Sequence, residues 1–295
     1  MTYTISNECL RVSAYSLGAE LRSLRKQAGG VEYLWQGAAD SWKGRAPLLF
    51  PVIGRLKRGS YSFGGRTYAM GIHGFAKDAQ FDATMRGETC LSFFLRDSPQ
   101  TLELWPFEFE LEIRYSLLGS ALRKEHILRN RGASPLLYEV GGHDGYNVPL
   151  LPGEELGDYY LEFEGMDSIR TRCLDSQIMV TRESRTLELE DGRLRLDTSL
   201  FDGDSLILEE VAGRKVALAN TRNAERIQVS FPDFAYLGLW SLAGRSSSGF
   251  ICIEPWSSLP DCDYLGEELE DKEGVRHLAP GATETLAYTI ELGAF

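Results

Sequence analysis

Histidine is scarce in this chain, with 4 in 295 residues. Cysteine is nearly as scarce, and the 5 present (Cys9, Cys90, Cys173, Cys252 and Cys262) are scattered, odd in number and free of any Cys-x-x-Cys pair. That pattern argues against a disulfide framework and against a cysteine zinc or redox motif, and it suits reduced thiols in a cytoplasmic protein. Long apolar runs are missing too. The longest, 46–54, is broken by Pro47 and Pro51, and the first eight residues have neither a basic lead nor an apolar core, so no membrane span or export signal is expected. Basic clusters are also absent. With 31 Lys+Arg against 43 Asp+Glu the formal net charge is −12, which repels nucleic acid and anionic membranes. No Gly-x-Ser-x-Gly elbow, glycine-rich phosphate loop or dinucleotide fingerprint occurs, and no His-x-His, His-x-Asp or His-Glu-x-x-His grouping points to a metal.

What is present is alternation. Between positions 107 and 117, Phe107, Phe109, Leu111, Ile113, Tyr115 and Leu117 are apolar while the residues between them are polar. A period of two is a strand with one wet face. Shorter versions recur at 90–95, 121–128, 159–163, 194–198, 227–231, 236–241, 250–254 and 283–292, separated by turn signals at 28–30, 63–65, 131–133, 190–192 and 280–281. Helices are expected to be few and short, with one or two turns over 98–104 opened by Ser98-Pro99. With 43% hydrophobic residues, no linker and no repeat, the chain reads as one all-β domain over 1–295, built of two large stacked antiparallel sheets.

Candidate chemistry gathers where polar residues interrupt these patterns. His143 lies in Gly141-Gly142-His143-Asp144-Gly145-Tyr146-Asn147, too rich in glycine to read as strand interior, and His73 lies in Gly71-Ile72-His73-Gly74-Phe75. Imidazole is the side chain most readily tuned to move protons near neutral pH. Glu254 ends the apolar run Ile251-Cys252-Ile253 and is followed by Pro255 and Trp256, an aromatic face of the kind sugar rings pack against. Arg55 follows a proline-broken apolar segment and offers a rigid fork of donors for hydroxyls or carboxylates, although with Lys57 and Arg58 beside it the segment reads equally as a solvated basic turn. Trp35, Trp42, Trp240 and Phe75 read mostly as core, and Asp233, Glu209 and Glu210 as solvated charges.

Taken in order, Arg55, His73-Gly74-Phe75, Gly141-Gly142-His143 with Asn147-Val148-Pro149-Leu150, and Ile253-Glu254-Pro255-Trp256 resemble the aldose 1-epimerase (galactose mutarotase-like) family, and within it the bacterial LacX-like branch. The resemblance runs from Gly18-Ala19-Glu20-Leu21 to the final strand. It implies a β-supersandwich and a mutarotase interconverting the anomers of a sugar substrate without metal or cofactor. His143 would be the general acid and Glu254 the general base, with His73 assisting at the ring oxygen. Arg55 and Asp204 (or Asp202), with Trp256, Tyr146 and Asn147, would bind the sugar. Glu254 is expected to start ionised and His143 protonated. The chain departs from the family at Asp144-Gly145-Tyr146 and at Ser257-Ser258. Asp144 would raise the pKa of His143 or contact a sugar hydroxyl. These departures leave two alternatives, a carbohydrate-binding or sensing protein without turnover and a hexose-6-phosphate mutarotase drawing on Arg45, Lys57 and Arg58.

Overall fold

In the computed structural model, which describes residues 1–243 and 249–293, strands dominate and no helix reaches seven residues. The alternating segment becomes the strand Phe109–Leu118, with Phe109, Leu111, Ile113, Tyr115 and Leu117 buried. It is part of a nine-stranded antiparallel sheet ordered Arg193–Arg195, Tyr159–Glu162, Lys215–Asn220, Arg226–Ser230, Thr283–Leu292, Ala121–Asn130, Phe109–Leu118, Cys90–Arg96 and Asp82–Met85. An eight-stranded sheet runs Val180–Glu188, Ser168–Leu174, Leu206–Leu208, Tyr236–Trp240, Gly249–Trp256, Gly141–Gly142 and Leu48–Leu49, with Asp144–Val148 also paired to Gly249–Trp256. Phe109, Leu111, Tyr288 and Ile290 from the first sheet share one apolar cluster with Leu206, Leu237, Ile251 and Ile253 from the second. This is the expected all-β supersandwich.

The expected helix is present at Pro99–Leu104. Ser98 caps it, its hydroxyl accepting from the Thr101 N–H at 3.2 Å while the Thr101 hydroxyl accepts from the Ser98 N–H at 2.8 Å. The reading at 194–198 shrinks to the strand Arg193–Arg195 followed by the 3-10 turn Thr198–Phe201. Among the described residues no helix is long and apolar enough to cross a membrane.

One correction matters for the site. The glycine-rich stretch around His143 is strand, not loop: Gly141 pairs with Trp256, and Asp144 to Val148 pair with Ile253 back to Gly249. Its glycines serve close packing. A Cβ on Gly142 would collide with the Tyr288 hydroxyl, and one on Gly145 would come within 2.7 Å of the Trp42 ring. Strand geometry then sorts the side chains, since neighbours along a strand face opposite ways. Ile251 and Ile253 join the core between the sheets, whereas Glu254 and Trp256 face a cleft on the outside of the eight-stranded sheet.

Candidate active site

The cleft encloses ≈ 520 Å³ and is lined by Arg55, His73, Lys77, His143, Asp204, Trp42, Trp240, Glu254 and Trp256, with Ile207 and Pro260 among the apolar wall residues. His143 Nε2 lies 3.4 Å from Glu254 Oε1 on its floor, both side chains buried. Trp42 stacks on the His143 ring, centroids 5.0 Å apart, and the edges of His73 and Trp240 close around it at 5.3 and 5.6 Å. The indole N–H of Trp256 donates to Glu254 Oε2 at 3.2 Å. Trp256 is thus both wall and hydrogen-bond donor to the carboxyl.

Burial sets the protonation of this pair. It pushes the Glu254 carboxyl well above the ordinary carboxylate range, with Trp256 pulling the other way and the charges of Asp204 and Asp144 adding to the rise. Burial also pushes His143 well down, aided by His73. Both shifts oppose charge on the cleft floor, so burial works against the expected pairing of an ionised glutamate with a protonated histidine. Burial, then Lys77 and Arg55, lower His73 to about 4. The Gly54 N–H donates to His73 Nδ1 at 3.1 Å, so the neutral ring carries its proton on Nε2. His73 sits at φ 64 in the turn before Gly74, whose Cβ would strike the Phe50 carbonyl.

Asp204 lines the cleft while Asp202 does not, and Arg55 is exposed at the cleft wall. Tyr146 and Asn147 are not in the lining. Tyr146 points into the core by the same alternation that turns His143 outward, and it is fully buried. The Asn147 amide donates to the carbonyls of Glu32 and Leu34 at 2.8 and 3.1 Å, tying that loop to the strand. Trp42, Trp240 and Lys77 belong to the cleft although their sequence surroundings assigned none of them to it. A tryptophan in a chain of alternating strands has no local signature for which face it takes. Glu209 and Asp233 have structural partners, Arg172 at 2.8 Å and the Ala287 N–H at 2.9 Å.

The departures from the family pattern lie behind the cleft. Asp144 faces the opposite way from His143, pairs with Lys124 of the other sheet at 3.2 Å and accepts from the Tyr288 hydroxyl. It neither lines the cleft nor raises the pKa of His143. The Ser257 hydroxyl accepts from the Val140 N–H at 2.9 Å, and Ser258 donates to Glu139 Oε1 at 3.1 Å. Glu139 also accepts from the Ile53 N–H at 2.7 Å and pairs with Lys272, which reaches Asp261 as well. This buried cluster clamps the segment carrying Arg55 to the loop carrying Pro260. The other basic candidates are engaged elsewhere: Arg45 with Gln36 at 2.8 Å, Lys57 with the carbonyls of Asp263 and Leu265, and Arg58 with Glu267.

Comparison with known proteins agrees with this architecture. The family model for aldose 1-epimerase matches residues 1–272. The chromosomal and plasmid LacX proteins of Lactococcus lactis subsp. lactis are each 33% identical over 300 residues, covering 99% of both chains. A galactose mutarotase related enzyme from Lactobacillus acidophilus superposes with a TM-score of 0.94 at 31% identity, covering 99% of this chain and 97% of the other. A galactose mutarotase-like protein from Lactobacillus casei gives 0.89 at 31% identity, covering 99% and 100%. With the family matched over nearly its whole length and LacX relatives aligned end to end, the chain belongs to the aldose 1-epimerase family, in its LacX-like branch.

Proposed function

We propose that this chain is a mutarotase that interconverts the α and β anomers of an aldose by acid/base ring opening and closure. The observation that carries the reading is the facing of His143 and Glu254 at 3.4 Å on the floor of an aromatic-walled cleft. Ring opening takes a proton from the C1 hydroxyl and gives one to the ring oxygen. These two oxygens share one carbon, so the acid and base that serve them must be near neighbours too.

Glu254 as carboxylate accepts the C1 hydroxyl proton while His143 as imidazolium protonates the ring oxygen, and the C1–O5 bond breaks to leave an open-chain aldehyde. The C1–C2 bond then turns. Closure on the other face returns each proton to its donor, so the pair is restored without cofactor. Midway, with the chain open, glutamate holds a proton and histidine does not, which is the neutral state that burial favours. The low-polarity floor thus stabilises the pair as it stands after ring opening. In this reading His73, neutral and carrying its proton on Nε2, assists at the ring oxygen, while Arg55 and Asp204 hold hydroxyls and Trp42, Trp240 and Trp256 pack on C–H faces.

This pairing makes a pH prediction. The active enzyme holds one proton between Glu254 and His143. A second proton adds only below the lowered histidine pKa, and the last leaves only above the raised carboxyl pKa. kcat/KM is therefore expected to be flat through the ordinary histidine range, about pH 5.5–7.5. A limb with a midpoint near 6.5 would remove the burial argument.

The binding-only alternative rested on Asp144 and Ser257, and neither lines the cleft. The phosphorylated-sugar alternative retains one specific support, because Lys77 joins Arg55 in the lining. Anomer exchange measured by NMR magnetisation transfer across galactose, glucose and their 6-phosphates separates the two. Acceleration for the free sugars supports an aldose mutarotase, and acceleration confined to the 6-phosphates assigns Arg55 and Lys77 to the phosphate. No acceleration for any of them, with binding retained, overturns the enzyme reading.

A further inference from the structure

We propose that His143 and Glu254 on the cleft floor, with the buried Cys252 beside them, form a binding site for a thiophilic divalent cation such as Zn²⁺, and that its occupation switches the acid/base pair off. The three residues are far apart in the chain, yet a ring nitrogen of His143, the Cys252 sulfur and a Glu254 oxygen all lie within 4.8 Å of one another, and all three residues are buried. The sheet fixes this arrangement. Cys252 and Glu254 are two apart on one strand and share its outer face, and the pairing of Asp144 with Ile253 sets His143 beside Glu254.

The donor set is one nitrogen, one sulfur and one oxygen, all of which zinc takes, at bond lengths of about 2.0–2.3 Å. A tetrahedron of that size places its ligands roughly 3.5 Å apart, so the cluster need close by only about 1 Å. His143 Nε2 already lies 3.4 Å from Glu254 Oε1, close to the spacing that two ligands of one ion require, so that edge of the cluster needs almost no closing. Thiolate and carboxylate together match the two charges of the cation. The thiol proton, and any proton on the carboxyl, leave to solvent as the ion enters. Three protein ligands leave a fourth position for a water molecule. Cysteine makes the site selective, since a sulfur donor favours zinc or cobalt over magnesium and calcium.

Metal binding rests on the cluster alone, and only the loss of activity rests on the mutarotase reading. The test titrates the reduced, chelator-treated full chain with Co²⁺ and follows the near-ultraviolet charge-transfer band that a cobalt–thiolate bond produces. The expected result is a band that saturates at one ion per chain and is displaced by Zn²⁺. It should vanish in Cys252→Ser and persist in Cys262→Ser, the control at the other buried cysteine. His143→Asn should keep the band but bind Co²⁺ about tenfold or more weakly, which decides the matter if Cys252→Ser fails to fold. No band in the wild type, a band surviving Cys252→Ser, or unchanged affinity in His143→Asn each overturns the site. If the enzyme turns sugars over, Zn²⁺ should abolish anomer exchange in the wild type, a chelator should restore it, and Cys252→Ser should keep its activity in Zn²⁺. A Cys252→Ser enzyme inhibited as strongly as the wild type would place the inhibition elsewhere.

Discussion

Glu254→Gln is expected to lower kcat for anomer exchange by about 10²–10⁴-fold while leaving KM and thermal stability close to those of the wild type. Burial already pushes the Glu254 carboxyl well up, so the site tolerates an uncharged group there, and an amide of the same shape fills the same space. The amide oxygen can still accept from the Trp256 indole. What it cannot do is take a proton. His143→Asn should produce a loss of the same order, and the double variant should be little worse than either single one, because a proton that cannot leave one oxygen gains nothing from an acid at the other. The measurement is NMR magnetisation transfer on the best sugar, with thermal melts run alongside. Near-normal turnover in Glu254→Gln would remove it as the base. Losses that multiply in the double variant would mean the two groups act independently.

Glu254 was legible because it ends an apolar strand run with a carboxylate, and His143 because a scarce imidazole stands in a glycine-rich stretch. Alternation rendered Phe109–Leu118 and Thr283–Leu292 visible, since each buries one face and wets the other. It failed at Val180–Glu188, an edge strand with one buried residue and therefore no apolar period to read. It failed in a more instructive way around His143. Read as a glycine loop, the segment let Asp144 and Tyr146 stand beside the histidine in the site. Read as a strand, it turns both to the opposite face, into the core between the sheets. Lys77 and Trp42 were hidden for another reason, because both reach the cleft from segments outside its sheet and only the folded chain shows which way they face.

Asp144→Asn is expected to destabilise the protein by about 3–5 kcal/mol, and Lys124→Met by a similar amount. The two side chains, 0% and 1% exposed, form an ion pair joining the sheets directly behind His143, and the Lys124 ammonium also lies over the rings of Tyr288 and Tyr115 at 5.4 and 5.9 Å. Removing either charge strands the other away from water, where desolvation is no longer offset by its partner. The double variant Lys124→Met/Asp144→Leu leaves no stranded charge and should recover most of the loss. Urea unfolding of the four proteins measures this directly. Single substitutions costing less than about 1 kcal/mol would mean that water or a neighbour compensates the orphan charge. Because Asp144 and His143 are consecutive on one strand, a recovered double variant that folds well but turns over slowly would show what the ion pair adds beyond stability. Its task would then be to hold the strand against the Tyr288 hydroxyl, so that the imidazole on the opposite face stays aimed at Glu254.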